Sequence, residues 1–157
     1  MLKKKLKLEN RIINLLNDLK INKGSKIIIH SNSAGLFQFT KNRNSMNLFF
    51  SLILKRIGKT GTLIIPTYNY DFTKGKTFIK NKSPSHVGML TNYLLKKYPD
   101  KRTNNPIFSH LIFGKLNNIL NLSDNYEIFG EKSIFANLLK LDFRIVCFCC
   151  SPTNITL

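Results

Sequence analysis

Short apolar runs rich in β-branched residues recur along this chain and alternate with segments of helical spacing, and that alternation constrains the fold more than any other feature. KIIIH (26–30) and TLIIP (62–66) read as strands, PIFSHLIFG (106–114) as a third and RIVCFCC (144–150) as the last. Before the first strand, Leu8, Ile12, Leu15, Leu16 and Leu19 share one helical face, and Lys23-Gly24 stops that helix. SNSAGLFQF reads as a loop of small residues. A second helix is expected over 46–57, capped by Ser45 and ended by Gly58, and a third from about Val87 to Tyr98. Two short ones are expected at 116–120 and 133–141. The polar stretch 67–86 has little periodicity and reads as a functional loop or lid. Strands alternating with helices predict an α/β layered domain, with a mostly parallel central sheet flanked by helices. The 157 residues suit a single domain with a real core. In such sheets ligands bind beyond the carboxyl ends of the strands, where HSNSAG and PTYNYD emerge.

A net charge of +17 would ordinarily direct attention to nucleic acid or another polyanion. The lysines, however, are scattered, with the densest run at Lys3–Lys5, and they accompany an excess of Asn, Ile and Phe. All four residue types have A/T-rich codons, so genome bias accounts for the charge, and a nucleic-acid partner is not expected. The positive field still favours an anionic cofactor such as a nucleotide or coenzyme A. No run approaches the roughly 18 apolar residues of a membrane helix. The basic N-terminus lacks the apolar centre of a signal peptide, so a cytoplasmic protein without a membrane partner is expected.

Individual chemistry-bearing residues are less informative. GKT at 58–60 has the ending of a P-loop, but Ile53 stands where the first Gly is required and a helical run precedes it. Cys147, Cys149 and Cys150 lack zinc-ligand partners; strand alternation puts the first two on one face and Cys150 on the other, as buried thiols of a core strand. His30 closes a strand and is the one acid/base candidate by position, whereas His110, within an apolar run, reads as a packed, hydrogen-bonded imidazole. No spaced carboxylate pair and no Ser-His-Asp or Cys-His signature stands out. In RTNNPIFSH (102–110), Asn-Pro is turn chemistry, and the residues alone read as a plain surface turn or as a rigid loop holding donors for a ligand.

Taken in order, KIIIHSNSAG, GTLIIPTY, SPSHVGMLTNYLLKKYPDKRTNNPIFSHLIFG and FGEKSIFANLLKLDFRIVCFC resemble the aminoglycoside 3-N-acetyltransferase family, in register from about Lys23 to Leu157. The shared features are a strand ending in His-Ser, a Gly-Thr-Leu strand ending in Pro-Thr, a Ser-x-x-Gly helix start, and Arg-Ser/Thr-x-His/Asn-Pro-x-x-Ser. The resemblance implies an acetyl-coenzyme A-dependent N-acetyltransferase whose small-molecule substrate carries an amine on a sugar, an aminoglycoside or another amino sugar, with no metal. It implies cofactor contacts from His30, Ser31 and Asn32 and from Arg102, Thr103, Asn105 and Ser109. Thr67, Tyr68 and Asp71 would border the acceptor sugar. This chain departs at Asn32, where the family often has Ser, at Asn92, where it has an acid, and at SIF (133–135) in place of Ser-Pro-Leu. Family sequences run on past the counterpart of Leu157 into a His-x-x-Glu stretch that resembles the acid/base pair. The chain is therefore expected to lack the C-terminal part of the fold, to transfer acetyl groups poorly, and to invite a homo-oligomer or a complementing C-terminal chain. Two alternatives stay open: a non-catalytic remnant or binding partner retaining the fold, and a basic nucleic-acid-binding module.

Overall fold

The computed structural model describes residues 2–40, 43–122 and 127–155. Helix α1 (Leu2–Asp18) leads into strand β1 (Lys26–Ser31), followed by α2 (Ser33–Thr40), α3 (Arg43–Ile57) and β2 (Thr62–Pro66). Then come α4 (Met89–Lys97), β3 (His110–Gly114), α5 (Asn117–Leu122), α6 (Ile134–Lys140) and β4 (Arg144–Phe148). The strands form one sheet in the order β3-β2-β1-β4. Both neighbours of β1 are parallel to it, while β3 runs antiparallel to β2. The mostly parallel layered sheet expected from the sequence is therefore present, with one edge strand reversed.

Alternation along each strand divides the core in two. Ile27, Ile29, Leu63, Ile65 and Phe113 face α1, α3 and α4. From that side Ile12 and Leu16 of the predicted N-terminal stripe are buried against them, and Leu8, Leu15 and Leu19 pack at the margin. Ile28, Ile64 and Ile112 face the opposite way, under the thinner cover of Leu120, Ile134 and Leu138. A cavity of about 370 Å³ lies on this second face between Ile28, Phe135, Leu138 and Ile145. Ser133 caps α6 by accepting the Ala136 amide at 3.2 Å.

Local boundaries differ from expectation in instructive ways. The segment expected as a loop turns helical from Ser33, because Asn32 Oδ1 accepts the Ala34 and Gly35 amides and nucleates α2. Helix α3 starts at Arg43, so Ser45 falls inside its first turn and not at the cap. The third strand is shorter than its apolar run: residues 106–108 form a bend, since Asn105 Oδ1 accepts the Ile107 and Phe108 amides.

Gly114, which ends β3, has φ 114°, and a Cβ there would stand 2.2 Å from the Gly61 carbonyl oxygen. Neither the torsion nor the backbone contact tolerates a side chain. Gly114→Ala is expected to destabilise the fold by about 2 kcal/mol, read as a lowered urea midpoint at unchanged m-value.

Candidate functional site

The sheet register places a polar row directly beyond an apolar one. Ile28 is paired with Ile64 and Ile145, and Ile64 with Ile112. Two residues nearer the carboxyl ends of β1 and β2, His30 pairs with Cys147, and Pro66 with His110. Alternation sends this second row to the same face as the isoleucines, and His110 accordingly meets the Phe135 ring at 5.8 Å. The apolar sheet face thus ends in two imidazoles and a thiol where the crossover loops emerge.

Beside this row lies a cavity of about 220 Å³ whose lining includes His30, Ser31, Asn32, Tyr68, Tyr70 and Cys150. His30 Nε2 and the Tyr68 hydroxyl are buried without a hydrogen-bond partner. Burial pushes the His30 imidazole below its ordinary value, which keeps it neutral. Burial, with repulsion from Tyr70 added, pushes the Tyr68 phenol up, so it keeps its proton and remains a donor. The Tyr68 ring packs edge-on against His110 at 5.3 Å and Phe108 at 4.9 Å.

His110 is fully enclosed, and burial is the main reason its imidazole is pushed down to about 3. It is packed, as the sequence implied, but not satisfied: neither ring nitrogen has a partner. An imidazole held neutral this firmly does not shuttle protons at physiological pH.

Arg102 is the hub of the 102–109 segment. It is 0% exposed and stacks over the Phe78 ring at 4.8 Å. Nε donates to Ser109 Oγ at 2.9 Å, Nη2 to the Thr67 carbonyl at 2.7 Å, and Nη1 to the carbonyls of Lys80 and Ser83. Ser109 Oγ in turn donates to the Thr67 carbonyl at 2.9 Å. Thr103 Oγ1 accepts the His110 amide at 3.0 Å, and Asn105 Oδ1 serves its own bend. Arg102, Thr103, Asn105 and Ser109 are all buried. The donors expected to face a cofactor therefore face the protein, because one guanidinium ties β2, the 67–86 loop and the bend before β3 together.

The same ties turn the expected lid into a fastened segment. The Asn69 amide donates to the Ile107 carbonyl at 2.9 Å, its side chain to the Pro84 carbonyl at 2.8 Å, and the His86 amide to the Tyr68 carbonyl at 2.8 Å. Thr67 and Tyr68 are buried, while Asp71 is partly exposed and engaged by Lys76 Nζ at 3.4 Å and His86 Nε2 at 3.7 Å. The Asp71–His86 pair was not legible in the sequence, since 14 residues of aperiodic loop lie between its members. At the start of α4, Asn92 accepts the Ser85 amide and donates to the carbonyls of Ser85 and Gly88. An amide performs both roles, which a carboxylate cannot, and this accounts for Asn92 where an acid was expected.

The cysteines depart most from expectation. Strand β4 ends at Phe148, and Cys149 turns away with φ 55°, so alternation stops before the last two thiols. Cys149 is exposed, and Cys147 and Cys150 are only partly covered. Cys150 Sγ donates to the His30 carbonyl at 3.4 Å. Among the described residues no group of three or more His, Cys, Asp or Glu is placed to hold a metal ion, and no helix is long and apolar enough to cross a membrane.

No curated protein sequence matches the chain. The fold matches several solved structures. The YokD protein from Bacillus subtilis is 18% identical with a TM-score of 0.73, over 88% of this chain and 63% of that one. AAC-VIa bound to sisomicin is 15% identical with a TM-score of 0.74, over 94% and 61%. AAC-IIIb in binary complex with CoASH is 15% identical with a TM-score of 0.70, over 88% and 58%. The chain thus spans about three fifths of the length of these relatives. The family model for aminoglycoside 3-N-acetyltransferases matches residues 28–157, which includes the sheet from Ile28 onward, the cavity at its carboxyl ends and the Arg102 hub, and the chain belongs to that family.

Proposed function

We propose that this chain binds acetyl-coenzyme A in the cavity at the carboxyl ends of β1 and β2, as the acetyl donor for an amino group on an aminoglycoside or other amino sugar. The observation that carries this reading is the pair of buried, unpartnered polar atoms at that cavity, His30 Nε2 and the Tyr68 hydroxyl. Such atoms cost about 1–3 kcal/mol each when unsatisfied, so a ligand group bonding to them recovers that cost. Uncharged amide and carbonyl groups of a pantetheine arm fit a neutral acceptor beside a neutral donor. The phosphates do not fit Arg102, whose guanidinium is already committed. The cofactor supplies an activated acetyl thioester. The chain supplies binding and orientation, with Tyr68 donating, His30 held neutral and able to take a proton, and Ser31 and Asn32 at the rim. Asp71, whose carboxylate already gathers the Lys76 ammonium, marks where a sugar ammonium would dock. The reaction is placed in the cytoplasm, where acetyl-coenzyme A is made available.

A second reading, a coenzyme A-binding protein without transfer activity, draws support from His110, the most enclosed imidazole, being held out of proton transfer. Calorimetric titration with acetyl-coenzyme A and a thiol-release assay with kanamycin and glucosamine acceptors separate the two. Binding is expected, with thiol release slow because burial weakens His30 as a base. Tyr68→Phe is expected to weaken binding about tenfold while leaving the melting temperature unchanged or slightly raised. Absence of binding sinks the cofactor assignment; binding without release selects the second reading.

A further inference from the structure

Three cysteines near the end of the chain remain unused by the proposed acetyl transfer. Cys147 and Cys150 stand at C-x-x-C spacing, which strand alternation conceals in the sequence because it assigns them to opposite faces. The break in the strand at Cys149 removes that separation. Both residues then meet one residue of the neighbouring strand, Cys147 by backbone register and Cys150 by its sulfur. Cys147 is the register partner of His30, and Cys150 Sγ reaches the His30 carbonyl at 3.4 Å. Cys150 lines the cavity, so a solute entering there can reach it. Cys149 belongs elsewhere: its Cβ packs so closely on Gly35 of α2 that a Cβ at Gly35 would lie 2.4 Å away.

We propose that Cys147 and Cys150 form a dithiol oxidised by low-molecular-weight disulfides that enter the cavity, closing an internal Cys147–Cys150 disulfide at its wall. The Cys150 thiolate attacks one sulfur of R–S–S–R, forming a protein mixed disulfide and expelling one RS⁻. The Cys147 thiolate then attacks Cys150 Sγ, forming the internal disulfide and expelling the second RS⁻. The two protein thiols lose two electrons and two protons, and the disulfide is reduced to two RSH. The net charge of +17 raises the local concentration of anionic disulfides such as oxidised glutathione. Burial is the main reason the Cys150 thiol is pushed above its ordinary value, and the nearby Cys147 thiol adds to the shift. Exchange is therefore expected to accelerate as pH rises from about 7 to about 9. Oxidation draws Cys150 Sγ off the His30 carbonyl and reshapes the cavity, whatever ligand that cavity takes.

The test uses the full chain, reduced and then incubated with oxidised glutathione, read by intact mass and disulfide mapping. The expected product is about 2 Da lighter than the reduced chain, with Cys147 linked to Cys150 and Cys149 free. Cys149→Ser is expected to give the same internal disulfide. Adding Cys147→Ser to that variant should arrest the reaction at a single glutathione adduct on Cys150. Mapping the parent chain needs no substitution, so a variant that fails to fold leaves the test standing. A glutathione adduct confined to Cys149, a disulfide that includes Cys149 or a second chain, or no adduct at Cys150 in the double variant overturns the proposal. None of these results depends on acetyl-coenzyme A binding.

Discussion

Arg102→Ala is expected to lower the free energy of unfolding by about 4 kcal/mol, the largest effect of any single substitution considered for this chain. The guanidinium is 0% exposed and bonds three backbone carbonyls and a hydroxyl drawn from β2's exit, the 67–86 loop and the bend before β3. Truncation removes the guanidinium from the partly buried carbonyls of Lys80 and Ser83 and from the Thr67 carbonyl, which keeps the Ser109 hydroxyl, at about 1–3 kcal/mol for each lost bond before the site relaxes, and it opens space over Phe78. Arg102→Lys retains the charge but has a single nitrogen in place of a planar fork, so it should recover less than half of the loss. Urea denaturation followed by circular dichroism measures both. A variant that keeps its midpoint and loses only coenzyme A affinity would falsify the structural assignment and restore Arg102 to the cofactor.

Acidification should be the second large effect. His110 titrates near 3 in the folded chain, against an ordinary value of 6.5, chiefly because it is buried. As pH falls below 6.5 the unfolded chain takes up a proton that the folded chain cannot accept until near pH 3. Stability contributed by the neutral imidazole is therefore complete above pH 6.5 and declines through that window, by about 1.4 kcal/mol per pH unit once the unfolded imidazole is charged. His30, also pushed down by burial, adds to the same slope. Urea midpoints at pH 7.5 and 4.5 should differ by an amount corresponding to about 2–3 kcal/mol. His110→Phe, which also removes two unpartnered nitrogens, should flatten most of that dependence and stabilise the neutral protein by about 1 kcal/mol. A His110→Phe chain as acid-sensitive as its parent would assign the effect to other groups.

These expectations show which kinds of information the sequence carries. Helical spacing at Ile12 and Leu16 and the β-branched runs of β1 and β2 were legible because burial on one face imposes a period that residue type alone records. Family membership was legible in the order of short motifs. Side-chain commitments were not. Arg102, Thr103 and Ser109 have the chemistry of ligand donors, and nothing in RTNNPIFSH indicates that Arg102 and Ser109 are committed to the Thr67 carbonyl, 35 and 42 residues away, or that Thr103 accepts the His110 amide. The helix at Ser33–Thr40 was hidden because Asn32, read as a ligand contact, acts as its cap.

The sequence by itself determined the layered α/β plan, the position of the candidate site beyond the strands' carboxyl ends, and the family. Those properties follow from periodicity and motif order, which are local. Only the tertiary structure decided the direction of β3, the closure of the Arg102 hub, the enclosure of His110 and the convergence of Cys147 and Cys150 on His30. Each of these depends on which groups meet across strands distant in sequence. The desolvation and hydrogen bonding that set a side chain's role arise only once those strands have been brought side by side.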